Sequence, residues 1–206
     1  MGLVHLMKRT SFVSYGRSLF GLLSAGRAPV PLLRMFRKLH PTERLQPATV
    51  PVPYRLRPYE PGDEDSWVGL LNGSGEFGLW DRRRLHDEVV GPLLPGGGVF
   101  VTVGDELVGC ASACFVDEFE PYAILMYVAL LPGHRGRGLG HALVWETMRA
   151  AQRAEVPGML LHTENHRLAA IRTYFQLGFL PRLGTGAADE RQWTDVLGKA
   201  LLRREE

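Results

Sequence analysis

The sequence predicts one mixed α/β domain, and three observations carry that reading. Residues 99–116, VFVTVGDELVGCASACFV, form two β-rich runs around Gly104-Asp105, which is a hairpin pattern. Residues 123–131, AILMYVALL, are almost unbroken apolar residues stopped by Pro132-Gly133, as in a central strand buried on both faces. Downstream of Pro132, helix-like and strand-like stretches alternate, which places helices against a sheet. The 206 residues suffice for one well-cored domain and are too few for two large ones.

The first fifty residues differ from the rest. They carry eight Lys or Arg against one acid, Glu43, so the formal charge of +2 hides a body, residues 51–206, of net −5. An acidic body argues against nucleic acid as its partner. The Arg-rich leader has the composition of a transit segment or of a membrane-surface helix (SLFGLL, PLLRMFRKL). Arg17 breaks the apolar run that a secretory signal needs, and no window is long enough to span a bilayer. The plainer reading is a disordered tail, or a chain whose true start is Met7 or Met35. We therefore expect residues 1–50 to be a basic, poorly ordered extension, joined through the proline cluster HPTERLQPATVPVP (40–53) to a domain spanning residues 54–203.

Within the domain, YRLRPY (54–59) reads as a short strand. Helical patterns follow near 62–72 and 80–90, separated by the glycine-rich NGSGEFG and ended by Pro92, Pro95 and the glycines at 96–98. After the hairpin and the apolar strand comes a helix of about fifteen residues, stopped near Val156-Pro157-Gly158. MLLHT (159–163) is a strand, and RLAAIRTYFQL (167–177) is an amphipathic helix with Gly178 as its stop. The last pattern, residues 191–202, places Trp193, Val196, Leu197, Ala200 and Leu201 at helical spacing. Cys110 and Cys114 share one face of one strand about 13 Å apart, too far to bridge. They read as small core residues, and a reducing cytoplasm suits them.

The stretch HRGRGLGHALVWE (134–146) carries the chemistry. At a helix start the first N–H groups lack intrahelical partners and carry the positive end of the dipole. Gly136, Gly138 and Gly140 let that backbone approach a ligand, and Arg135 and Arg137 add charge for an anion. A buried strand, a turn and this loop make a competent pyrophosphate cradle. It is not a Walker A loop, because His141-Ala142 stand where Lys-Ser/Thr should follow. Its glycine spacing is not that of the dinucleotide fingerprint either, and no acidic residue ends the partner strand near Leu161.

Here the chain resembles the GNAT superfamily of acetyl-CoA-dependent N-acyltransferases. VALLPGHRGRGLGHAL (128–143) fits that family's Arg/Gln-x-x-Gly-x-Gly/Ala signature at Arg135, Gly138 and Gly140, and AIRTYFQLGF (170–179) looks like its Ala-x-x-x-Tyr-x-x-x-Gly-Phe element. Arg-Leu-x-Ala-Ile-Arg before the tyrosine is similar to the mycothiol-synthase-like branch. The resemblance implies a single, mostly antiparallel sheet flanked by helices, acetyl-CoA as co-substrate, and transfer of an acetyl or short acyl group to an amine. The backbone of Val128, Ala129 and Leu130 would hold the pantetheine arm. Arg135, Gly136, Arg137, Gly138, Leu139 and Gly140 would hold the pyrophosphate, with His141 beside them. Tyr174 would stand near the sulfur as the acid. Many relatives have Asn where this chain has Arg167, while Asn165 lies two residues earlier. The family's usual final strand pair is also hard to see, because 191–202 reads as helix.

For the base we expect Glu120, chosen from Asp117, Glu118, Glu120 and Glu164, each of which also reads as a solvated carboxylate. His134 could cap or touch phosphate. His162 and His166 have ligand-like spacing without a third ligand, so no metal is expected. DRRRLH (81–86) reads as a solvated helix face. A non-catalytic acyl-CoA-binding module is the alternative from another class. The acceptor and the oligomeric state carry no sequence signature.

Overall fold

In the computed structural model, which describes residues 32–183 and 187–201, the hairpin and the apolar strand lie inside one seven-stranded sheet. Its strands are β1 (Leu33–Lys38), β2 (Tyr54–Pro58), β3 (Leu93–Val103), β4 (Glu106–Phe115), β5 (Ala123–Leu130), β6 (Gly158–Thr163) and β7 (Leu180–Pro181). Their order across the sheet is β2-β3-β4-β5-β6-β1-β7. Every neighbouring pair is antiparallel except β5 and β6. Parallel strands need a crossover, and α3 (Leu139–Arg153) supplies it. The other helices are α1 (Glu64–Ser74), α2 (Arg82–Leu85), α4 (Leu168–Gln176) and α5 (Ala187–Leu201). The second expected helix is a single turn, α2, running into a π-turn at His86–Val90.

Both faces of the sheet are covered, which is why β4 and β5 are apolar without alternation. On one face Leu143, Met148, Ile171 and Trp193 pack against Val101 and Leu161. On the other, Trp67, Leu71 and Leu85 pack against Phe100 and Ile124, with Cys110 and Cys114 among them. Both thiols are free and buried. Burial pushes the Cys110 thiol up to about 12, so neither cysteine is poised as a nucleophile.

The leader departs from expectation. Residues 33–38, expected in the poorly ordered extension, form a strand seated between β6 and β7. Leu33 and Met35 point into the core while Arg34 and Lys38 face outward. This is the period-two alternation of a half-buried strand, hidden under a basic composition. Burying each apolar side chain is worth roughly 1.5–3 kcal/mol, ample reason for the segment to be ordered. The proline-containing stretch after it straps the outer face of α3. Trp145 Nε1 donates to the Gln46 carbonyl at 2.6 Å, Arg149 Nε to the Leu45 carbonyl at 3.0 Å, and the Ala48 N–H to the Glu146 carboxylate at 2.6 Å. The folded unit therefore includes residues 33–50, contrary to a domain starting at residue 54. Residues 1–31 of the expected extension lie outside the described residues. β1 and β7 together form the edge of the sheet beyond β6, and 187–201 is helical, as its spacing indicates.

Candidate active site

The parallel pair β5–β6 holds register for three rungs only, Ala123 with Met159, Ile124 with Leu160 and Leu125 with Leu161. Beyond Leu125 the strands part. On its other side β5 carries a bulge: Ala111 alone stands opposite both Tyr127 and Val128, because Cys110 pairs with Ala129 and Ser112 with Met126. Tyr127 takes φ 50°, a left-handed conformation that costs a non-glycine residue about 1 kcal/mol or more. Edge-on contacts to Trp80 (4.7 Å) and Phe77 (5.4 Å), and a phenol donating to Glu88 at 2.5 Å, hold it there. Past the parting and the bulge, Val128, Ala129 and Leu130 line a groove.

That groove runs to the start of α3. Gly136 and Gly138 have φ of 75° and 76°, and a Cβ on either would meet nothing within 4 Å. The demand at these positions is therefore backbone conformation, not space. Gly138 caps the helix without any side-chain hydrogen bond, and Ala142 is the first residue to bond back to it, at 3.2 Å. Among the described residues, the N–H groups from Gly136 to His141 have no acceptor. Six donors at the positive end of a fifteen-residue helix suit a diphosphate. Val128, Ala129, Leu130, Arg135, Gly136, Gly138, Leu139, Gly140 and His141 line the groove, which closes against α4 at Arg167 and Tyr174.

A second cleft lies on the opposite side of the parted strands, lined by Phe77, Arg84, Glu88, Phe119, Tyr127, His162, Thr163 and Glu164. The two share four residues, Glu76, Val128, Arg167 and Tyr174. Tyr174 is 5% exposed, and its hydroxyl has no hydrogen-bond partner among the described residues. Burial raises its pKa and the Arg167 guanidinium opposes the rise, so the phenol keeps its proton at neutral pH. Arg167 pairs with Glu76 and lies 5.1 Å over the Phe77 ring. Glu76 also takes Arg135 at 2.7 Å, so one carboxylate joins the cradle loop to α4 across the junction. Arg84 stacks 4.0 Å over Trp80 and donates to Glu88 at 3.0 Å.

Several sequence expectations need correction. Arg135 lines the groove, but its guanidinium is engaged by the carbonyls of Leu130 and Ser74 at 3.1 and 3.0 Å and by Glu76, so it also braces the loop. Arg137 is exposed, and neither it nor Asn165 lines either cleft. Glu120 is exposed too and lines neither, because Phe119 turns its ring into the cleft and leaves its neighbours in solvent. His134 meets no ligand groove and pairs with Tyr54 at 3.1 Å. DRRRLH is solvated at Arg82 and Arg83, but Arg84 lines the second cleft. Glu76, Phe77 and Glu88 gave little warning, and His162 drew notice only for its spacing from His166. The one signal was a phenylalanine inside the glycine-rich NGSGEFG, where a plain solvent loop has no use for it. Among the described residues, no three His, Cys, Asp or Glu side chains gather as a metal site would require, and no helix is long and apolar enough to cross a membrane.

A sheet parted at its parallel β5–β6 pair, with bare helix-start N–H groups at the end of the gap, has the shape of a main-chain cradle for a long, anion-tipped ligand. The chain belongs to the acetyltransferase (GNAT) family, whose model matches residues 58–179. It is 28% identical to a mycothiol acetyltransferase of Acidothermus cellulolyticus over 81% of its length, and 30% identical to one of Thermobispora bispora over 72%. It spans about half of these curated relatives, 53% of each. Among solved structures it is similar to a GCN5-related N-acetyltransferase of Sphaerobacter thermophilus, at a TM-score of 0.61 and 19% identity, covering 73% of this chain and 48% of that one.

Proposed function

We propose that this protein transfers an acetyl or other short acyl group from acyl-CoA directly to an amine. The observation that carries the reading is the meeting of two clefts at Val128, Tyr174, Arg167 and Glu76, a donor groove on one side of the sheet and an acceptor cleft on the other. Acyl-CoA brings an activated thioester carbonyl. The main chain of Val128, Ala129 and Leu130 orients the pantetheine arm in this reading, and the N–H groups from Gly136 to His141 bind the diphosphate. Tyr174 holds a proton for the departing sulfur, and its burial excludes water from that proton. The chemistry asks for no metal. The two free, buried cysteines suit a reducing cytoplasm.

For the acceptor, a mycothiol-type amine is the second reading, favoured by the relatives named above. The test incubates the full chain with acetyl-CoA and a panel of primary amines, including glucosamine. Free thiol release matched by acetylated amine in mass spectra is the expected result. Calorimetric CoA binding without release to any amine identifies a binding module instead.

A further inference from the structure

We propose that His162 is the general base that takes the proton from the acceptor amine, an assignment that rests on the acyl-transfer reading above. Direct transfer needs a proton acceptor on the side where the amine arrives, and Glu120 is not there. The carboxylates of the acceptor cleft are largely spoken for. Glu76 is held between Arg135 and Arg167, and Glu88 between Arg84 and the Tyr127 phenol. Glu164 stands nearer solvent, its side chain 30% exposed, with His166 at 3.4 Å.

His162 lies deeper. Along β6 the side chains alternate, so Leu161, in the core with Tyr174, faces one side and His162 the other. Phe119 sets its ring edge-on to the imidazole at 5.6 Å. Acid and base therefore approach the gap between β5 and β6 from opposite faces, as a donor and an acceptor meeting through that gap require. Arg34, opposite His162 in the β1–β6 register, is a cation whose charge acts on it, and Arg84 and Arg167 line the same cleft. Asp117, Glu118 and Glu120 flank Phe119 in sequence and are exposed. Burial first, and Arg34 second, hold the imidazole below its usual range, so it is neutral and able to accept a proton at pH 7.

An imidazole nitrogen of His162 takes one proton from the ammonium, and the freed lone pair forms the C–N bond to the acyl carbon. The C–S bond breaks with its electron pair on sulfur, which takes the Tyr174 proton. The second N–H proton returns to the phenolate, and His162 releases its proton to solvent. An ammonium and a thioester become an amide, a thiol and one proton.

The test has two readouts on the full chain. In NMR of the ligand-free protein the His162 imidazole should titrate below 6.5, at the pH of the acidic limb of kcat/KM for whichever panel amine gives the highest thiol release. His162→Gln should remove that limb and lower kcat/KM by about 10²–10⁴-fold, with acetyl-CoA affinity held within about twofold. A limb more than about one pH unit from the NMR value overturns the assignment without recourse to any variant. So does a His162→Gln enzyme with unchanged rate and limb while the parent still acetylates. A parent that acetylates no amine overturns the acyl-transfer reading, and the base with it.

Discussion

Met35 stands opposite Leu161 in the antiparallel ladder between β1 and β6, and the two are 0% and 1% exposed. A basic leader segment thus lies against the strand that carries the acceptor cleft. Met35→Ala should cost about 2–5 kcal/mol, the usual range for emptying a buried methionine site. Removing residues 1–50 should abolish the cooperative unfolding transition, since it strips one edge of β6 and the strap over α3. Urea denaturation followed by circular dichroism checks both, and a truncated chain as stable as the parent would show that β1 is dispensable.

The cradle predicts a split between ligands. Gly138→Val forces a β-branched residue to φ 76° at a strain of roughly 1–2 kcal/mol, with no steric clash to confuse the outcome. Affinity for CoA should fall about tenfold or more, and affinity for pantetheine, which lacks the diphosphate, should fall little. Calorimetry with both ligands decides it; equal losses, or none, place the diphosphate elsewhere.

Tyr174→Phe keeps the ring packing against Phe179 and removes the phenol proton. General acid catalysis is worth about 10²–10⁴ in rate, and we expect the lower end because a CoA thiolate leaves readily. Steady-state kcat should drop while the acetyl-CoA dissociation constant holds. Unchanged kcat would return Tyr174 to a packing role.

A fourth prediction concerns acid stability. Arg57 donates to both oxygens of Asp63 at 2.6 and 2.7 Å, and this pairing, against the opposing effect of burial, holds the carboxyl below its usual range. A folded-state pKa below the unfolded one, about 3.9, stabilises fully above that pH and is lost as pH falls through the folded value. Asp63→Asn should therefore cost about 1–2 kcal/mol at pH 7 and progressively less as pH falls through the folded value. A difference independent of pH in parallel urea titrations would remove the linkage.

The cradle and the central strand were legible because each needs a residue type that nothing else replaces: glycine at positive φ, and unbroken apolar side chains between two covered faces. β1 was not, because LRMFRK shows only two core positions among basic residues and its partner is far along the chain. Glu120 was chosen by proximity to β5 in sequence, whereas the direction of a side chain at a turn depends on its neighbour Phe119. Glu76, Glu88 and His162 meet only once the sheet has parted, and no local periodicity encodes that gap.

The position of β1 sets an order of assembly. Leu33 is synthesised early but finds its partner only when Thr163 has emerged, and the short β7 has nothing to pair with until β1 is seated. Closing so long a loop is slow compared with forming the β3–β4 hairpin. The hairpin and β5 can therefore collapse first, with the acceptor cleft still open along the edge of β6. The cleft becomes complete only as β1, made long before β6, takes one of the last places in the sheet.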